Sequence, residues 1–165
     1  MTQEEKMLLI KDLSARLPYA VTVEHTSGFR GTLHDITVHH MYDDNDNVYD
    51  AVCYTNFFGD NDDIYIEFFK PYFFPMSSMT EEQAIELFDI FGISLVDSVG
   101  ANYIKVNEVT GITFFFQNGF DVESHLDKLL SWLNKNHFDY RGLIEKGLAL
   151  DATGTSVYQF KLIEK

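Results

Sequence analysis

Met7, Leu8, Ile10, Leu13 and Leu17 recur near helical spacing behind Thr2-Gln3-Glu4-Glu5, a capping box with Thr2 at the N-cap and Glu5 three residues on. The spacing predicts a first helix that Pro18 stops. From Tyr19 the period shortens. Val21 and Val23, then Leu33, Ile36 and Val38, lie in β-prone runs on either side of Ser27-Gly28-Phe29-Arg30-Gly31, which predicts a hairpin. Polar Tyr42-Asp43-Asp44-Asn45-Asp46-Asn47 leads into the β-prone run Val48–Phe58. Gly59-Asp60-Asn61-Asp62-Asp63 reads as a further turn before a strand over Ile64–Phe69. Pro71 and Pro75 are expected to end this unit, because proline cannot donate to a ladder.

A second capping box, Thr80 to Gln83, opens a helix whose apolar face is Ala84, Ile85, Leu87, Phe88 and Phe91, with Gly92 as its stop. Ile93–Val99 is expected to be a strand, and Tyr103–Val109 with Ile112–Gln117 a hairpin about Thr110-Gly111. Val122, Leu126, Leu129, Leu130 and Leu133 keep the 3.6 period of a third helix over Asp121–His137, capped by Asp121. Residues 138–150 predict a short helical turn packed under that helix, and Ser156–Leu162 a closing strand. The sum is an α+β fold. It has an N-terminal helix, a curled antiparallel sheet or small barrel-like meander, then helices with a second hairpin and a C-terminal strand. At 165 residues this is one compact domain over 1–165, with a possible subdivision at 1–75 (helix plus β meander) and 76–165 (mixed α/β part).

Composition excludes several classes. The chain is 45% hydrophobic and 23% charged, so it can bury a core and is not wholly disordered. One cysteine, Cys53, makes neither an internal disulfide nor a cysteine-rich zinc site. No apolar run approaches a bilayer span, and Met1-Thr2-Gln3-Glu4-Glu5 lacks the basic and apolar regions of a signal peptide. The expectation is a soluble, cytoplasmic protein.

Charge is unevenly spread, and this is the most informative feature of the composition. The net charge is −14, from 12 basic and 26 acidic residues. Between Gly31 and Asn102, fourteen acids from Asp35 to Asp97 face Lys70 alone, while the rest of the chain is nearly balanced. No basic face is legible, which argues against direct nucleic-acid binding and against attachment to an anionic membrane. An acidic stretch of this kind steers a partner with a basic surface, or simply keeps the protein soluble. The same stretch holds Phe57-Phe58, Phe68-Phe69 and Tyr72-Phe73-Phe74, out of 15 Phe and 9 Tyr in the chain. Consecutive aromatics on a strand cannot all face one core. The residues assigned to partner binding are Asp43, Asp44, Asp46, Asp60, Asp62, Asp63, Tyr65 and Glu67. The oligomeric state is not legible.

Catalytic and metal chemistry find little support. Counting from Asp43, Val48 stands where a calcium loop needs glycine and Tyr54 where it needs glutamate. His25, His34, His39, His40, His125 and His137 fall in no metal-ligand spacing; His34 and His40 share strand parity and His39 does not. Cys53, inside an apolar strand, reads as a buried inert thiol. No nucleophile elbow, Walker loop or dinucleotide glycine motif occurs, so neither metal nor cofactor is expected. His137-Phe138-Asp139-Tyr140-Arg141-Gly142 is the exception. Either Arg141 binds an anion with His137, Asp139 and Tyr140 around it, as in a small-ligand site or hydrolase, or these residues anchor the C-terminal segment. A narrower form of the acidic-surface reading is a DNA mimic.

Three blocks carry a resemblance: Leu13-Ser14-Ala15-Arg16-Leu17-Pro18-Tyr19; Lys70-Pro71-Tyr72 with Pro75-Met76-Ser77-Ser78-Met79-Thr80-Glu81-Glu82; and Trp132-Leu133-Asn134-Lys135 with His137 to Ile144. Together they resemble a family of small uncharacterised proteins of Bacteroides-type gut bacteria and their phages or prophages. The resemblance spans the whole chain and implies a phage- or mobile-element-associated intracellular setting. It carries no activity, so it transfers no catalytic or binding residue.

Overall fold

The computed structural model describes residues 1–42, 48–57, 60–91, 103–107, 111–115 and 122–158. In chain order its elements are α1 (Gln3–Arg16), β1 (Thr22–His25), β2 (Arg30–Tyr42), β3 (Val48–Phe57), β4 (Asp60–Tyr65), β5 (Phe69–Pro75), α2 (Glu81–Phe91), β6 (Tyr103–Asn107), β7 (Gly111–Phe115), α3 (Val122–Lys135), β8 (Phe138–Asp139) and β9 (Leu150–Asp151). The fold is α+β. Both capping boxes form. Thr2 and Glu5 exchange backbone-to-side-chain bonds of 2.7 and 3.2 Å, and Thr80 and Gln83 exchange bonds of 2.9 and 3.3 Å. The chain divides into two compact units, Met1–Phe73 with Arg141–Lys165, and Phe74–Tyr140.

In the first unit the strands run in the order β4-β3-β2-β1-β5, every neighbour antiparallel, and β9 adds to β5 in parallel through Tyr72↔Leu150 and Phe73↔Asp151. The meander of β1 to β4 is antiparallel, as the sequence pattern predicts, and the parallel addition of β9 makes the whole sheet mixed. β2 shifts register against β3 between Leu33 and Asp35 and between Val38 and Met41, and such bulges increase local twist and curl a sheet. Leu9, Ile10 and Leu13 of α1 pack with Val21, Val23, Leu33, Ile66, Phe69 and Phe73, closed by Leu143, Leu148 and Ala149. That C-terminal contribution comes from a turn ended by Gly147 (φ +70°). The Gly147 N–H donates to the Ile144 carbonyl and the Leu148 N–H to the Leu143 carbonyl, the pairing in which a left-handed glycine closes a helical turn.

The second unit has a separate core of Met79, Ala84, Leu87, Trp132, Leu133 and Phe138. Trp132 stacks on Phe138 with ring centroids 5.6 Å apart at 12°. The last residues of β5, Phe74 and Pro75, pair in parallel with Phe138 and Asp139 of β8. β6 and β7 make a hairpin of their own.

Several expectations are corrected. Asp60–Asp63, expected as a turn, are extended in β4, paired from Phe57↔Asp60 to Val52↔Tyr65; cross-strand pairing overrides the local turn preference of Asp and Asn. Ile64–Phe69 is accordingly the end of β4, a 3-10 turn over Ile66–Phe68 and the first residue of β5. Pro71 and Pro75 lie within β5 and do not end the unit. The Thr26 N–H donates to the Phe68 carbonyl, and alternation along the antiparallel ladder then makes Val23↔Pro71 a position without hydrogen bonds. Proline there withholds no donor from β1. Finally, residues 156–158 of the expected closing strand are coil and turn, and Leu143 and Leu148, expected under α3, join the first unit's core. Ile93–Val99, Asp121 and 159–165 lie outside the described residues.

Candidate functional site

β4 is the last strand of its sheet, and no second strand pairs with it among the described residues. Beyond Asp60–Asp63 the chain alternates between core and surface. Ile64 packs against the core, Tyr65 is 43% exposed, Ile66 is buried, Phe68 is 44% exposed and Phe69 is buried. Two apolar anchors in the 3-10 region thus hold two aromatic rings outward. Tyr65 and Phe68 meet edge to face with centroids 6.2 Å apart, and Phe68 lies 6.3 Å from the half-buried His25 ring. The hairpin tip adds Phe29, 56% exposed, whose carbonyl accepts the His25 N–H at 2.8 Å. Gly28 makes that tip possible, since its φ of +88° is a conformation that side-chain-bearing residues avoid. The Ser27 N–H donates to His25 Nδ1 at 3.1 Å, which fixes the ring's orientation at the tip.

Of the residues assigned to partner binding, Asp60, Asp62, Asp63 and Tyr65 fall on this one strand, and Glu67 lies two residues beyond it. The Glu67 carboxylate already pairs with Lys6 Nζ at 2.5 Å, an intramolecular contact that ties α1 to the 3-10 turn. Asp43, Asp44 and Asp46 lie outside the described residues.

Farther along the sheet, Glu24, Arg30 and Tyr72 meet across β1, β2 and β5. Glu24 Oε2 accepts from the Tyr72 hydroxyl at 2.5 Å and from Arg30 Nε at 2.7 Å. The Tyr72 hydrogen bond first and the Arg30 bond second hold the Glu24 carboxyl below its usual range, while burial first and Glu24 second push the Tyr72 hydroxyl up. A surface carboxylate on the sheet is here held by its own neighbours.

The His137–Arg141 motif is divided between the units, with residues 137–140 in the second and Arg141 in the first. His137 takes a left-handed conformation (φ 57°) after α3, and its carbonyl accepts the Phe74 N–H at 2.9 Å; Asp139 is buried in β8. Arg141 meets Asp12, whose carboxylate is fully buried. Arg141 Nε lies 3.0 Å from Asp12 Oδ1, while Arg16 reaches Oδ2 through Nε at 2.6 Å and Oδ1 through a second nitrogen at 3.2 Å. The Arg16 guanidinium also lies 4.2 Å over the Phe73 ring. Sequence reasoning passed over Asp12 and Arg16. The signal was present: they stand four apart on the stripe that carries Leu9 and Leu13, where a polar pair has to be buried.

Tyr158 was missed as well. Its hydroxyl accepts from the Thr22 N–H at 3.3 Å and donates to the Tyr72 carbonyl at 2.6 Å, standing where the next β1–β5 ladder bond would form. Burial pushes this hydroxyl well above the usual tyrosine value. Among the described residues, no group of three or more His, Cys, Asp and Glu side chains comes together as a metal site, and no helix is long and apolar enough to cross a membrane.

No family model, curated protein or solved structure matches the chain.

Proposed function

We propose that the protein is a non-enzymatic interaction module that docks a protein partner with a basic surface on the β4 edge of its first unit. One observation carries the reading. The strand that ends the sheet holds Asp60, Asp62 and Asp63, and it runs straight into the exposed pair Tyr65 and Phe68. Protein interfaces favour aromatic anchors, and a row of like charges gives an approaching partner its direction. Several charged groups elsewhere in the first unit have internal partners: Asp12 with Arg16 and Arg141, Glu24 with Arg30 and Tyr72, Glu67 with Lys6. The test uses a basic peptide of alternating lysine and valine, titrated at low and moderate salt against the native chain and against Asp60→Lys, Asp62→Lys and Asp63→Lys combined. Affinity should fall with salt for the native chain, and the triple variant should bind at least tenfold more weakly with little salt dependence. Equal binding by both chains overturns the reading.

A further inference from the structure

The geometry points to a specific docking mode, resting on the reading above: the open edge of β4 adds an extended, basic segment of the partner as one more strand of the sheet. β4 uses one backbone edge on β3, from Phe57↔Asp60 to Val52↔Tyr65, and no strand occupies its other edge among the described residues. Every second residue of a strand directs its N–H and C=O towards the free side, and an unsatisfied row of such groups is a template for another strand. Six residues span about 20 Å, enough for a short segment to register.

Charge selects the occupant. A second copy of this chain would set aspartates of one β4 against those of another, and like charges facing each other across strands are unfavourable. The charges that keep two copies apart admit a strand carrying lysine or arginine opposite Asp60 and Asp62, which share one strand parity, or opposite Asp63, which has the other. Tyr65 and Phe68 then lie at one end of the added strand, where an apolar residue of the segment covers exposed ring surface. Main-chain bonds supply affinity and alternate side chains supply selectivity in this mode of recognition.

Backbone methylation separates strand addition from attraction by charge alone. The probe is the lysine–valine peptide, compared with two versions N-methylated at every second amide, one in each phase. Methyl groups of one phase block the edge that faces β4, and those of the other phase face away. Strand addition predicts that the two phases differ at least tenfold in affinity, the weaker one losing its binding to the native chain. Equal affinity of the two phases overturns strand addition, and leaves the acidic docking surface standing if the Asp-to-Lys triple variant still weakens the parent peptide. Absence of binding by the parent peptide at low salt overturns both.

Discussion

Two regions of the first unit put the same residue types to opposite uses. At α1, a carboxylate with no solvent exposure is surrounded by two guanidinium groups, and an aromatic ring lies under one of them. At β4, three aspartates share the last strand of the sheet, and the neighbouring aromatic rings point outward. The first arrangement joins α1 to the segment after Tyr140, so its chemistry holds the chain together. The second lies on a strand that no further strand covers among the described residues. A functional reading built on residue type alone would favour Arg141, because arginine beside histidine, aspartate and tyrosine resembles a ligand site. Position favours the edge.

Asp12→Ala breaks this comparison most severely. It leaves two buried or half-buried guanidinium groups without their carboxylate, and removing one partner of a buried ion pair costs about 3–5 kcal/mol. Urea unfolding should register a loss in that range, with the Lys–Val peptide still bound by whatever fraction stays folded. A loss under about 1 kcal/mol would show that the cluster is not structural.

Tyr158→Phe is expected to cost about 1–2 kcal/mol, because the Thr22 N–H and the Tyr72 carbonyl lose the hydroxyl between them. The same residue gives the fold an alkaline limit. A hydroxyl whose folded pKa is raised contributes stability that is fully present below the ordinary tyrosine value, about 10, and is lost as pH rises through the folded value. Thermal unfolding followed from pH 8 upward should show a steeper decline in the native chain than in Tyr158→Phe.

Glu24 sets a weaker limit at the acid end. Its lowered pKa contributes stability that is present above the ordinary glutamate value and is lost as pH falls through the folded one. Glu24→Gln should flatten the acid limb of the stability profile measured by thermal unfolding.

The smallest stability effect belongs to the edge. Tyr65→Ser with Phe68→Ser should change stability by no more than about 0.5 kcal/mol, as exposed substitutions do, yet weaken binding of the basic peptide about tenfold. A loss of stability with binding intact would invert the comparison between the two regions.

The local signals in the sequence were enough for the helices. Thr2 to Glu5 and Thr80 to Gln83 satisfy helix termini with contacts three residues apart, and such contacts are written in a short stretch of chain. Distant pairing was not legible. Asp60–Asp63 look like a turn until β3 takes up their backbone groups, and Pro71 looks like a stop until its place in the ladder is known. The buried Asp12–Arg16–Arg141 cluster needs Arg141 to arrive from far along the chain, and Tyr158 comes from farther still to complete β1 and β5. At the candidate site, the acidic residues were visible as charge. That Asp60, Asp62 and Asp63 form the edge of a sheet, with Tyr65 and Phe68 exposed beyond them, depends on strand order.

Amide hydrogen exchange, with and without the lysine–valine peptide, tests most directly whether the β4 edge is the docking surface. Exchange should slow at alternate amides of residues 60–65 when the peptide is present, while the amides of α1 keep their rates. Slowing confined to other segments, or no change in β4 at a peptide concentration that saturates binding, would contradict it.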